Sequence, residues 1–567
     1  MATALLPRRA PQTRSFRARG APQPLRALQR RGGRRQARPR GVRQMQTCAA
    51  AASLEGAGAG AGVDVVLLSN GPGEVTSWVR PVAQALRRSG LQGASADVRV
   101  SAVLAPCPHA SGGEAGALGA LMNPNGDSEP LLDRVSGPGV FWRLVVALRG
   151  EGWARWRFRR RGVVIFLGGD QALALLLAAR LGYACVVYAE DVARWPGALG
   201  ARYALRTTAL LGDVPPARRG ACEVVGDLFA DAVAPAQGAA GEKQREFKAA
   251  ALPTADGNTS KSEGKALTVG LLVGSKMAKL VVAVPFMLAA ADALAARMSV
   301  ASVRFVLPLA PTASTQQVLQ CASEDADVVA RFGWASAAEV AEVADSLPAQ
   351  AERNAMTLRT ARGTHVSIVR AASGGGAAPY EVYSQCACVL TTVGTNTAEL
   401  ALLGVPMVVV LPTQVLEVFK GGAGGLLGLL MRLPGVLGTL VTRRVNAALL
   451  ARAGAMAWPN RWAGEHVVPE LVGPIAPDDA AEALVALLTD ADRRKSMRAA
   501  LLAVAGAQRR ESEAGGAAAA VARLAAEALV ERDAQQRRRR HSASGWRRWL
   551  QLPGWLRRTP PPAAGLS

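Results

Sequence analysis

The chain has 567 residues, enough for two or three domains with large apolar cores, and carries a formal charge of +24. That charge sits at the ends: residues 1–50 hold thirteen Arg and no acid, and residues 535–567 hold eight Arg and no acid, leaving the body between them close to neutral. This distribution argues against nucleic acid as a partner. Seven scattered Cys with no CxxC pair, beside four dispersed His, argue against a disulfide framework, a zinc cluster or a locally assembled His-based triad.

The first 50 residues are rich in Arg, Ala and Pro, contain Ser and Thr, and have no long apolar core. They read as an organelle transit peptide, chloroplast before mitochondrion, or as a disordered basic arm. The body is predicted to begin near Gly62 with a buried strand over 63–68. It runs into the turn Ser69-Asn70-Gly71-Pro72-Gly73-Glu74 and a helix over 75–88 with Trp78, Val79, Val82 and Leu86 on one side. A glycine-bearing strand-to-helix turn at the start of an α/β domain is a usual place for a ligand, although tight turns need Gly for geometry alone. Residues 98–105 form the next predicted strand, and 106–138 reads as loop. Over 141–161 aromatics interleave with Arg, which suits either an anionic membrane surface or an ordinary helix with a basic solvent face. A strand over 163–167 is predicted to end at Gly168-Gly169-Asp170, ahead of a helix over 171–181. Asp170 then reads either as that helix's N-cap or as a general base facing a cleft. A strand over 184–188 leads to Glu190-Asp191, and short strands at 208–211 and 223–225 close a first lobe spanning 62–235.

Residues 236–266 shift to Ala, Gly, Lys, Ser and Thr without apolar period, as in a linker or surface insertion. A second α/β series follows over 267–475: a strand at 267–273, the turn Gly274-Ser275-Lys276, a helix over 280–296 and a strand at 303–308. Further on, an apolar run over 386–390 stops at Gly394-Thr395-Asn396, an Ala/Leu helix ends at Gly404, and a β-branched strand occupies 407–411. Cys386 and Cys388 share a face of the apolar run and read as core. The Gly394 turn leaves the first helical N–H groups unpaired and partly positive, which suits a phosphate or diphosphate. Glu399 stands three residues after Asn396, the expected N-cap. It reads either as the acid of a capping box or as a carboxylate holding ribose hydroxyls. The repeated strand-turn-helix pattern predicts parallel sheets. The apolar, Gly-rich stretch 421–441 reads as an interfacial or cleft-mouth segment, or as a buried loop-helix. Ala/Leu-rich helices fill 476–531, and 532–567 is a basic aromatic tail that either touches a membrane or is disordered.

Two α/β halves, a linker and terminal helices predict two Rossmann-like lobes, the GT-B glycosyltransferase architecture, with a C-terminal helical segment. The ordered set Gly274-Ser275-Lys276, Phe305 to Pro311, Gly394-Thr395 with Glu399, Leu403-Gly404-Val405-Pro406, and Pro459-Asn460 with Val468-Pro469-Glu470-Leu471 resembles the lipid A disaccharide synthase family. Gly226-Asp227-Leu228-Phe229-Ala230-Asp231 resembles that family's Gly-His-Pro-Leu-Ala-Asp segment. The likeness covers roughly residues 62–530, loosely in the first half, and marks a divergent member.

The resemblance implies a transferase that joins a UDP-linked diacylglucosamine to a lipid-linked sugar acceptor at a peripheral membrane surface and releases UDP, with no metal and no cofactor beyond the UDP-sugar substrate. It implies a nucleotide-sugar site of Gly274, Ser275, Lys276, Gly394, Thr395, Asn396, Glu399 and Asn460. It also implies a first-lobe loop of Asn70, Gly71 and Gly73, and Asp170 or Glu74 as the catalytic base. The sequence departs from the family at Leu173, where a second Asp is usual, and at Lys276 and Glu465, where Arg is usual. Rival readings are a plastid UDP-sugar transferase acting on another lipid and a catalytically inactive nucleotide-sugar-binding, membrane-associated protein. A nucleotide-sugar 2-epimerase would share the lobes but would need several ionisable groups at the cleft. Asp325-Asp327 and Asp490-Asp492 lie away from strand ends and are not expected to hold a metal-diphosphate.

Overall fold

In β1 (Val63–Ser69) alternate side chains enter two different apolar layers. Val63, Val65 and Leu67 face one and Val66 and Leu68 the other, as the two-residue period of a strand dictates. A strand buried on both faces must sit in the middle of a sheet covered by helices on each side, and it does. The computed structural model describes residues 62–551, apart from 92–96, 108–109, 124–128, 147–157, 235–265, 299–302, 341–355, 371–378, 419–441, 443, 445–447, 449–453 and 511–514. The expected linker, the stretch 421–441, the first 61 residues and 552–567 fall outside the described residues.

The first lobe is a seven-stranded sheet in the order β3-β2-β1-β4-β5-β6-β7. Its other strands are β2 (Val98–Leu104), β3 (Arg134–Ser136), β4 (Arg161–Phe166), β5 (Ala184–Ala189), β6 (Arg202–Leu205) and β7 (Cys222–Val224), every pair parallel. Residues 208–211, expected as a strand, belong to the helix Thr208–Asp213; the strand is β6, six residues earlier, where Tyr203, Ala204 and Leu205 are buried. The strand expectation fails there because Thr207 is the N-cap of a helix from Thr208 whose only buried residue is Leu210. The region 106–138, expected as loop, contains the helix Glu114–Gly119 and β3. In the helix Pro138–Val146, Phe141 and Leu144 are buried in the first-lobe core while Trp142 is exposed.

The second lobe is an eight-stranded sheet in the order β10-β11-β12-β9-β8-β13-β14-β15. Its strands are β8 (Leu267–Leu272), β9 (Val303–Pro308), β10 (Ala337–Val340), β11 (Met356–Thr360), β12 (His365–Val369), β13 (Cys388–Thr392), β14 (Met407–Pro412) and β15 (Glu470–Gly473). Six are parallel, and the β10-β11 pair adds antiparallel at one edge. The helix Met277–Arg297 is long and apolar enough to cross a membrane, yet most of it is buried in the lobe as a core helix. Each lobe thus repeats the Rossmann strand order, and the two together form the GT-B architecture.

The C-terminal helix Ala517–Gln551 runs through residue 531 without a break. It returns to the first lobe and is held there by Arg161–Asp533 and Arg523–Glu223 ion pairs, by Arg202 against Glu531 at 2.8 Å, and by the Ala518 N–H donating to Asp231 Oδ2 at 2.6 Å.

Candidate active site in the cleft between the lobes

Strand order reverses between β1 and β4 in the first lobe and between β8 and β13 in the second. The crevice beyond the carboxyl ends of strands at such a switch point is where open α/β sheets take ligands. The turns after these four strands are 69–74, 168–170, 274–276 and 393–396, so the topology gathers most of the sequence-predicted residues into two facing clusters. The clusters touch: a Cβ on Gly73 would lie 3.0 Å from Thr395 Oγ1 and 3.1 Å from its Cγ2. A diphosphate reaching the Gly394 turn therefore requires the lobes to part at this point.

On the first-lobe side, a side chain at Gly71 would run into the Glu74 carboxylate, and one at Gly168 would meet Glu74 Cγ at 3.0 Å. Gly168 and Gly169 have φ of +117° and +112°, and the second lies against the Asn70 amide, so Asn70, Glu74 and this turn pack as one unit. Asp170 is the N-cap of the helix Gln171–Leu181, its Oδ1 accepting from the Ala172 N–H at 2.9 Å, and the residue is exposed.

Two acids that the sequence reading did not single out as site residues complete this edge. Glu190 follows β5 directly and is half-buried. Burial first, then the charges of Asp191 and Glu74, push its carboxyl up to about 8 against the opposing pull of Arg206. Asp227, three residues past β7, is buried, and burial raises its pKa despite Arg206. Its Oδ1 accepts from the Phe229 N–H at 2.9 Å, while Oδ2 has no hydrogen-bond partner and lies 3.6 Å from Arg206. The second lobe closes over them: Arg206 and Arg461 lie over the Trp458 ring at 5.1 Å and 4.4 Å, and Arg461 is 3.6 Å from Asp191. The available signal was a pair of carboxylates, Glu190-Asp191, immediately after a fully apolar strand.

On the second-lobe side, Gly274 (φ +85°) and Gly394 (φ +151°) make the two turns. Lys276 is the residue before the helix Met277–Arg297, and its carbonyl accepts from the Lys279 and Leu280 N–H groups. Lys279, also absent from the sequence reading, extends its ammonium to the Val393 carbonyl. Burial first, then the Lys276 charge, bring it down to about 8, with Glu74 acting in the opposite sense. Among the described residues, no group of three or more His, Cys, Asp and Glu is placed to hold a metal ion.

The helix Thr395–Leu403 begins two residues earlier than expected, with Gly394 and not Asn396 as its N-cap, so Glu399 does not occupy a capping-box position. An extended-to-helix transition at Gly394 needs a φ that only glycine adopts readily, which fixes the boundary there. Glu399 is instead buried at the lobe interface. Its Oε1 accepts from Ser77 Oγ at 2.8 Å, across from the first lobe, and from Tyr380 OH at 2.9 Å. Burial raises its pKa, opposed by these two hydrogen bonds and by Arg80. Asn460 is fully buried within its own loop: its amide donates to Val468 O at 2.9 Å and Glu470 Oε1 at 2.7 Å and accepts from the Val467 and Val468 N–H groups. Its side chain ties the helix Trp458–Ala463 to residues 467–470, and Thr397 links that helix to the Gly394 helix by accepting from the Trp458 N–H at 3.0 Å.

No family model and no curated protein matches the chain. Among solved structures, it is similar to the UDP-GlcNAc 2-epimerase of Neisseria meningitidis bound to UDP-GlcNAc, at 13% identity and a TM-score of 0.31 over 76% of this chain and 99% of that one. It is similar to the ADP-heptose LPS heptosyltransferase II of E. coli at 12% identity and a TM-score of 0.28, over 75% and 98%. A third likeness is to the E. coli trehalose-phosphate synthase bound with UDP-2-fluoro glucose, at 11% identity and a TM-score of 0.33, over 82% and 98%.

Proposed function

We propose that the chain is a glycosyltransferase of the lipid A disaccharide synthase type, moving a sugar of the diacylglucosamine kind from a UDP donor to a lipid-linked sugar acceptor at a membrane surface, in the chloroplast. The observation that carries this reading is the facing of two unlike switch points: glycine turns flanked by Lys276 and Lys279 on one lobe, and a set of carboxylates on the other.

In this reading, the donor diphosphate lies against the second lobe, where helix N-termini and lysine ammonium groups meet the charge that builds up on departing UDP. The acceptor hydroxyl oxygen attacks the anomeric carbon from the first-lobe side, the bond from that carbon to the β-phosphate oxygen breaks, and the hydroxyl proton passes to a carboxylate. Glu74 suits the base role better than Asp170, because Asp170 spends an oxygen on its own helix while Glu74 lies between the two first-lobe turns. The resemblance to the family assigns Glu399 to the ribose hydroxyls. In the closed cleft Ser77 already uses that carboxylate, so binding exchanges an interlobe hydrogen bond for one to substrate.

The test is UDP release by the full chain, supplied with a panel of UDP-sugars and lipid acceptors. Release that depends on the acceptor and falls at least about a hundredfold in Glu74→Gln supports the reading. UDP binding without turnover over the whole panel favours an inactive binding protein. Consumption of UDP-GlcNAc without any acceptor favours an epimerase, which the carboxylate cluster around Glu190 makes the second reading.

A further inference from the structure

Three features converge on one spot beside the Gly274 turn. Thr392, the last residue of β13, is buried, and its hydroxyl has no hydrogen-bond partner. It points at Gly274, where a Cβ would lie 3.3 Å from Thr392 Oγ1. The Lys279 side chain crosses the same glycine, its Cδ 3.5 Å from that Cβ position, and its ammonium ends 2.9 Å from where a Cβ on Gly394 would be. Both glycines have positive φ, so the backbone comes close with no side chain in the way. A buried hydroxyl left unbonded is a cost without structural return, and an acceptor oxygen placed beside a lysine would remove it.

We propose that Lys279 and Thr392, together with the N–H groups of the Gly274 and Gly394 turns, form the pocket that takes the diphosphate of a nucleoside diphosphate; the proposal rests on reading the cleft as a sugar-nucleotide site. The Val393 carbonyl holds the Lys279 ammonium in place, and on binding a phosphate oxygen replaces that carbonyl. Lys276, at the position the family resemblance assigns to this task, contributes less, because it is Lys279 whose side chain crosses Gly274 and reaches the Gly394 turn. The charged groups acting on Lys279 are Lys276 on its own lobe and Glu74 on the other. With its pKa lowered to about 8 by burial and Lys276, Lys279 takes up a proton when a diphosphate arrives, so binding above that pH is accompanied by proton uptake and weakens as pH rises further.

The experiment is isothermal titration of the full chain with UDP, with pyrophosphate and uridine as separate titrants. Lys279→Met is expected to weaken UDP binding about tenfold or more, and Lys279→Arg to recover part of it. Thr392→Val is expected to weaken it roughly threefold to tenfold at an unchanged or raised melting temperature, since the hydroxyl holds nothing in the fold and its unbonded burial is a cost. Lys276→Met is expected to lose less than Lys279→Met. Proton uptake, read from titrations in two buffers of different ionisation enthalpy at about pH 8.5, should vanish in Lys279→Arg. Wild-type affinity in both Lys279→Met and Thr392→Val overturns the pocket and leaves the sugar-nucleotide reading standing. Binding of pyrophosphate with no gain from the uridine moiety supports the pocket and removes that reading. Failure of the wild type to bind either anion overturns the pocket.

Discussion

The first-lobe sheet buries acids at both ends, and it treats them in opposite ways. At the amino end, Asp64 on β1 is 1% exposed and fully partnered. Arg99 donates to both its oxygens at 2.8 Å and 2.7 Å, and the Tyr183 hydroxyl and the Arg159 N–H each reach it at 2.9 Å. At the carboxyl end, Asp227 keeps an oxygen without a hydrogen bond, and Glu190 is raised to about 8 among like charges. Asp64 and Asp227, both 1% exposed, are thus satisfied at one end and left in tension at the other, with the half-buried Glu190 beside the second. Tension of that kind is what stability alone would remove, and it lies at the end where the proposed chemistry is placed.

The sharpest way to break this contrast is at the satisfied end. Asp64→Ala leaves Arg99, Arg159 and Tyr183 without their shared acceptor, and should cost about 3–5 kcal/mol in urea unfolding while the cleft chemistry is untouched in whatever remains folded. A loss under about 1 kcal/mol would mean the amino end is not the structural one. Next in size is the interlobe link. Ser77→Ala removes one of two donors to Glu399 Oε1 and should cost about 1–3 kcal/mol; Glu399→Gln, whose amide oxygen still accepts from Ser77 and Tyr380, should cost less.

At the end in tension the sign reverses. Glu190 has an unfolded value near 4.5 and a folded value of about 8, so between those values the unfolded chain binds fewer protons than the native one, and its contribution to stability declines as pH rises through the window. Glu190→Gln carries no such dependence. Its melting temperature at about pH 8 should exceed the wild type's by roughly a few degrees, with a flatter pH profile, while turnover falls. A melting temperature that drops in the variant would place Glu190 among the structural acids.

These residues also show what the sequence could and could not reveal. The long buried strands and the glycine turns are legible because apolar period and Gly placement are local properties, and the two lobes follow from their repetition; the short strands β3 and β6 are not. The Asn396 side chain suits a cap, but the φ required at the extended-to-helix corner places the boundary at Gly394. Lys279 and Thr392 lie 113 residues apart in number and meet only because β8 and β13 are neighbours, which no local spacing encodes. Asn460 stood out by motif alone, and its amide is consumed by backbone groups that only the folded loop brings near.

The smallest expected effect tests how closely the two ends of the cleft are matched when shut. Alanine at Gly73 would set its Cβ 3.0 Å from Thr395 Oγ1 and 3.1 Å from Cγ2, tighter than ordinary contact, whereas Thr395 Cβ would be 3.6 Å away, which is ordinary. Gly73→Ala should therefore destabilise the closed arrangement by about 1 kcal/mol or less, with the lobes giving by a few tenths of an ångström. Thr395→Ala removes both offending atoms and keeps the Cβ. The double variant should then recover most of the loss, a coupling of roughly 0.5 kcal/mol that urea unfolding of the four proteins would resolve. Strict additivity would show that Gly73 and Thr395 do not meet in solution and that the cleft rests open. In that case Ser77→Ala would also have no effect, because the same closure brings Ser77 to Glu399.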